Sequence, residues 1–96
     1  MKRVLVECRD LLFRGKIQAI LGSAGGSVVR EDPLDLAVLE LGKPGVDERI
    51  RDLVRRGVPV VAFGSHVEVE GWGEARSAGA RAVPNSEVES TLRALL

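Results

Sequence analysis

The chain predicts a three-layer α/β fold in which helices cover a mostly parallel sheet of four or five strands. Three observations carry this. Val4-Leu5-Val6, the stretch Leu36 to Leu41 and the stretch Pro59 to Phe63 are apolar at nearly every position, as strands buried on both faces are. The segments between them place apolar residues at helical spacing. Strand-like and helix-like segments then alternate, which is the pattern of βα units. Ninety-six residues suit one domain, residues 1–96, with a single core.

Taken in order, Val4-Leu5-Val6 is the first strand and ends on Glu7-Cys8. Asp10 is placed to cap a helix whose inner face is Phe13, Ile17, Ile20 and Leu21, with Gly22 as its left-handed stop. Ser27 to Arg30 reads as a second short strand and Leu36 to Leu41 as the third. Only Glu31 to Asp35 join them. Such a linker reaches roughly 17 Å, whereas a parallel crossover needs about a dozen residues or more. The second helix of a regular α/β unit is therefore missing or shortened, and the second strand short or irregular.

Asp47 to Arg56 is the next helix, with Ile50, Leu53 and Val54 inward and Glu48–Arg51 and Asp52–Arg56 spaced to pair outside. Gly57 ends it before the Pro59 to Phe63 strand. Val67 to Gly73 reads as a Gly-flanked loop carrying Trp72, and a helix follows through Glu74 to Ala78, ending at Gly79. Arg81-Ala82-Val83 is a weak fifth strand. The last helix opens on the capping-box spacing of Ser86 and Glu89 and turns Val88, Leu92 and Leu95 inward.

Composition removes several classes of function. Fourteen basic residues balance fourteen acidic ones, and the aromatics are Phe13, Phe63 and Trp72. Neither a basic excess nor a stacking set points to nucleic acid. No apolar run approaches the roughly 18 residues that span a bilayer, and Met1-Lys2-Arg3 leads into a strand without a signal peptide. The single Cys8 fits a reducing cytoplasm. Eleven arginines against three lysines suggest a thermophile or a GC-rich genome. The stretch Gly22 to Ser27 has the composition of a phosphate loop, but it follows a helix and precedes a strand. That order aims no helix N-terminus at an anion, so it reads as a turn.

The run from Asp35 through Glu40 and Pro44-Gly45 to Asp47 resembles the phosphoacceptor segment of bacterial response-regulator receiver domains. The stretch Gly57 to His66 and the segment Ala75 to Ala80 are similar to two further stretches of that family. The resemblance implies a flavodoxin-like fold and a signalling role. It also implies where a phosphotransfer site would lie, and each position departs from the pattern. Glu40 stands at the phosphoacceptor position, one methylene longer than aspartate. Glu7-Cys8 or Cys8-Arg9, depending on the register, replaces the acid pair that holds Mg²⁺, with Asp10 as one acid that still faces the site. Gly64, beside Ser65, replaces the hydroxyl residue, and no lysine lies near Val83 to Ser86. Phosphoryl transfer depends on metal and cation to neutralise the developing charge. The chain is therefore expected to be a degenerate pseudo-receiver with no cofactor and at most weak Mg²⁺ binding.

Each candidate has a plainer role beside the functional one. Glu40 is either a fixed negative charge imitating the phosphorylated state or a strand-end acid bonded to backbone amides or to Lys43. Cys8 is either a buried small side chain or, with His66 as base, a nucleophile. Trp72 with Arg76 is either core packing or a contact patch for a protein partner. The expected function is a protein-interaction or regulatory module with an unidentified protein partner, a homodimer being one form. The alternatives are a small enzyme or ligand-binding domain using Glu7, Cys8, Glu40 and His66, or a receiver with residual phosphorylation on Glu40 or Asp10.

Overall fold

A computed structural model describes residues 1–65 and 69–96; His66 and the two residues after it lie outside the described residues. The elements are β1 (Lys2–Glu7), α1 (Leu11–Ser23), β2 (Gly26–Val28), β3 (Leu36–Glu40), α2 (Val46–Arg55), β4 (Val60–Gly64), α3 (Val69–Ser77), β5 (Arg81–Pro84), a 3₁₀ turn (Asn85–Glu87) and α4 (Val88–Leu95). The five strands form one sheet in the order β2-β1-β3-β4-β5, parallel throughout. This is the doubly wound flavodoxin-like order, which puts helices on both faces.

Side chains alternate across the strands and divide the core in two. On one face Val4, Val6, Val38, Val61 and Phe63 meet Ile17, Ile20 and Leu21 of α1 and Val88 and Leu92 of α4. On the other, Leu5, Ala37, Leu39 and Ala62 meet Ile50 and Leu53 of α2, Ala75 of α3 and Ala78 just after it. The apolar blocks of the sequence are thus strands covered twice.

The expected gap in the architecture is present. The chain passes from β2 to β3 through residues 29–35 with no helix, around a cis Asp32–Pro33 bond. Polar clamps hold this crossover where a helix would otherwise pack. Arg3 Nε donates to the Pro33 carbonyl at 2.7 Å and Nη2 to the Glu31 carbonyl at 3.1 Å. The Arg3 amide donates to Asp35 Oδ2 at 2.8 Å, Asp32 pairs with Arg56 at the C-terminal cap of α2, and Leu34 packs on the α2 side of the core. Arg3→Ala removes both side-chain anchors. It is expected to lower stability by about 1–2 kcal/mol, because hydrogen bonds from a charged donor carry more than neutral ones. Urea unfolding monitored by circular dichroism measures the loss.

Several local expectations are corrected. Gly22 does not stop α1; the helix runs to Ser23, and the left-handed residue is Gly25 (φ 89°). The second strand begins at Gly26 and ends at Val28. Val54 is not inward but 36% exposed, at the rim of α2 against Gly79. A Cβ on Gly79 would stand 3.0 Å from Val54 Cγ1, and its φ of 103° already favours glycine. On the solvent side of α2, Arg49 approaches Asp52 at 4.0 Å and Arg56 approaches it at 3.4 Å; no Glu48–Arg51 pair forms among the described residues. Gly71-Trp72-Gly73 belongs to α3 and not to a loop. At α4 no side chain caps the helix. Glu89 pairs with Arg93 at 3.1 Å, and Ser90 Oγ donates to the Glu87 carbonyl at 3.1 Å.

Candidate functional site at the carboxyl edge of the sheet

The parallel register brings the chemistry-bearing strand ends to one edge. Glu7 lies opposite Leu39, Glu40 opposite Phe63 and Gly64 opposite Pro84. Chains leave β1 and β3 for opposite faces here, so a crevice opens between them, as in other open α/β sheets. A cleft of about 270 Å³ occupies it, lined by Glu7, Leu39, Glu40, Lys43, Val46 and Arg49 among others.

The acids at this edge are each committed to a protein partner. Glu40 Oε1 accepts from the Arg9 amide at 2.9 Å, tying the end of β3 to the turn after β1. Glu7 Oε2 accepts from Arg49 Nη2 at 3.1 Å and Nε at 3.2 Å. Asp10 turns its carboxylate to its own helix, where Oδ1 accepts from the amides of Leu12 at 3.0 Å and Phe13 at 3.2 Å. That capping matches its sequence reading and aims the charge at α1. Among the described residues no three His, Cys, Asp or Glu side chains gather as metal donors.

Cys8 follows β1 and is 7% exposed. Its Sγ donates to the Asp10 carbonyl at 3.4 Å. Burial raises the thiol above its ordinary value, the Glu40 carboxylate raises it further, and the hydrogen bond to Asp10 offsets part of this. A thiol nucleophile needs the opposite environment, one that favours the thiolate. Iodoacetamide at pH 8 should therefore alkylate native Cys8 at least about tenfold more slowly than the urea-unfolded chain. Stability should also fall as pH rises above about 9, since the unfolded thiol ionises first there, and Cys8→Ala should flatten that decline. Thiol labelling and pH-dependent urea unfolding read the two effects.

At Gly64, on the edge itself, a substitution meets tight packing. A Cβ there would stand 3.3 Å from Leu41 Cβ and 3.4 Å from both Leu41 Cδ1 and Trp72 Nε1. Trp72 reaches this point from α3; it is half-buried and packs on the α2 side of the core. Ser65, beside Gly64, is exposed. Arg76, one turn beyond Trp72, is exposed and donates from Nη2 to the Ala82 carbonyl at 3.3 Å. The inner part of Trp72 thus serves packing at the strand end, and Arg76 ties α3 to β5. His66 lies outside the described residues.

Sequence reading missed Arg49 as a site residue, although a signal exists. Arg49 is three residues after Val46 and four before Leu53, so it shares the flank of α2 that borders the sheet.

No protein-family model matches the chain, and no curated protein matches it. Sixty chains of solved structures match. A response regulator receiver domain protein from Clostridium thermocellum superposes with a TM-score of 0.82 at 13% identity, covering 99% of this chain and 90% of that one. A response regulator receiver protein from Burkholderia phymatum gives a TM-score of 0.75 at 22% identity, covering 99% and 94%. A CheY-like protein from Pseudomonas aeruginosa gives 0.74 at 22% identity, covering 99% and 93%. The fold is therefore that of receiver domains over the whole chain. No helix among the described residues is long and apolar enough to cross a membrane.

Proposed function

We propose that this chain is a pseudo-receiver, a receiver-fold module that works in bacterial signalling through protein contacts and not through phosphoryl transfer. The observation that carries the reading is at Gly64. The resemblance puts a hydroxyl residue here, and the volume such a side chain needs is bounded by Leu41 and the Trp72 indole. The neighbouring positions support the same reading. A buried thiol stands at a metal-acid position, Asp10 caps a helix, and Glu40 is hydrogen-bonded to the Arg9 amide. In that bond Glu40 joins two loops of the edge, which favours a structural role over a phosphate mimic. The raised Cys8 thiol disfavours the nucleophilic-cysteine alternative.

Incubation with acetyl phosphate and Mg²⁺ followed by intact-mass measurement tests the reading. The expected result is the unmodified mass. A hydroxylamine-labile adduct of one phosphoryl group on Glu40 or Asp10 would overturn it.

A further inference from the structure

The cleft between β1 and β3 is lined by charges of both signs that are only partly paired. Glu7 and Arg49 bond to each other, which leaves Lys43 and Glu40 as its uncompensated charges. Both are half-buried, and both line the cleft. Among the described residues Lys43 forms no ion pair, with Glu40 or with any other acid. The two charges still face one small region, because both act on the Cys8 thiol, Glu40 raising its pKa and Lys43 lowering it. Glu40 uses Oε1 on the Arg9 amide, and Glu7 uses Oε2 on Arg49. The second oxygen of each carboxylate accepts no hydrogen bond among the described residues.

The rest of the lining limits what fits. Leu39, 1% exposed, and Val46 give the cleft an apolar wall. The helix α2 starts at the rim, with Gly45 as its N-cap (φ 79°) and no side chain bonded there. Its first-turn acids Asp47 and Glu48 are not among the residues that line the cleft. The positive end of the helix dipole therefore lies beside Lys43 and favours a carboxylate. The volume of about 270 Å³ is below the roughly 300–1,000 Å³ of sites for drug-sized molecules, so the guest is a small metabolite. A simple anion would meet Glu40 as well as Lys43, and a simple amine would meet Lys43 as well as Glu40. Like charges in contact disfavour both, whereas a guest that carries both charges satisfies both side chains.

We propose that this cleft binds a small aliphatic α-amino acid as its zwitterion. Its carboxylate sits at Lys43, its ammonium at the free oxygens of Glu40 and Glu7, and its side chain on Leu39 and Val46. A small apolar wall with a few convergent polar groups is the usual form of a metabolite site, and charge-assisted hydrogen bonds at both ends give it selectivity. Occupancy would fix the β3–α2 loop, which carries Lys43, against the ends of β1 and β3. The inference deepens the pseudo-receiver reading and rests on it, since a metabolite then occupies the edge that a phosphoryl group would otherwise use.

Titration of the ¹⁵N-labelled protein with L-leucine, L-isoleucine and L-valine, without Mg²⁺ or a phosphoryl donor, tests it. Isocaproate and isoamylamine serve as leucine analogues that each lack one charge. The expected result is saturable shifts at the amides of Glu40, Lys43, Val46 and Arg49, with Kd of about 1 mM or below for at least one of the three amino acids. Each analogue should bind at least about tenfold more weakly than leucine, the loss that follows from removing one charge-assisted hydrogen bond. Lys43→Met should weaken amino-acid binding by a similar factor. Lys43 has no ion-pair partner among the described residues, so this variant should keep its urea midpoint. Overturning results are no saturable shift with any of the three amino acids, isocaproate binding as tightly as leucine, displacement of leucine by equimolar inorganic phosphate, or affinity unchanged in Lys43→Met. Phosphoryl labelling by acetyl phosphate would remove the pseudo-receiver reading by itself and is a separate result from this titration.

Discussion

Phe63→Ala should destabilise the protein by about 3–5 kcal/mol, the range for truncating a buried aromatic. Phe63 is 2% exposed in the middle layer of the sheet. Its ring stacks on Phe13 with centroids 5.0 Å apart and an interplanar angle of 25°. It thereby joins β4 to α1 within the cluster that also holds Val61, Val88 and Leu92. A chain of this size is stable by about 5–10 kcal/mol, so the variant should lose roughly a third or more of that margin. Phe13→Ala should cost less, about 1–2 kcal/mol, because that ring is only half-buried. Phe63 also stands opposite Glu40 in the ladder, so the same substitution should loosen the end of β3. Urea unfolding gives the energies, and amide exchange at Glu40 and Leu41 reads the loosening.

Gly64→Thr, which would restore the hydroxyl of a receiver, should also destabilise, by about 1–3 kcal/mol, the usual cost of overpacking. The new Cβ would press on Leu41 and on Trp72 Nε1 at 3.3 and 3.4 Å, and the branched side chain extends beyond it. Trp72→Ala alone costs stability by opening a cavity in the α2-side core. In the double variant the two penalties should not add, because the space vacated by the indole accepts the threonine. A favourable coupling of about 1 kcal/mol or more in the double-mutant cycle is the expected signature. Additive penalties would show that Trp72 does not occupy the position 64 space.

Much of this fold follows from patterns that only one structure satisfies. Apolar blocks covered on both faces fix the strands, Asp10 caps α1 as its place before Leu12 and Phe13 requires, and the short Glu31 to Asp35 linker excludes a helix. What failed to show was conditional on packing. Gly22 looks like a stop, yet helical hydrogen bonds continue past it until Gly25 supplies the positive φ. Two glycines around Trp72 suggest a loop, but burial of Ala75, Ala78 and the indole against β4 and α2 outweighs their low helix propensity. The capping box of Ser86 and Glu89 loses to a 3₁₀ turn and to the Glu89–Arg93 pair.

The site was legible in location and not in orientation. Strand-end positions put Glu7, Cys8, Glu40 and Gly64 on one edge, since parallel strands deliver their carboxyl ends together. Where each side chain turns depends on partners distant in sequence. Arg49 takes Glu7, the Arg9 amide takes Glu40, and Trp72 comes from α3 to the space beside Gly64.

The most direct measurement of the central claim is a ¹H–¹⁵N correlation spectrum recorded with Mg²⁺ and then with added beryllofluoride, an analogue of a bound phosphoryl group. The account predicts no saturable shift at the amides of Glu40, Gly64 and Ser65 beyond that of Mg²⁺ alone. Saturable shifts at those three amides, propagating into β4 and α3, would contradict it and restore a working receiver site.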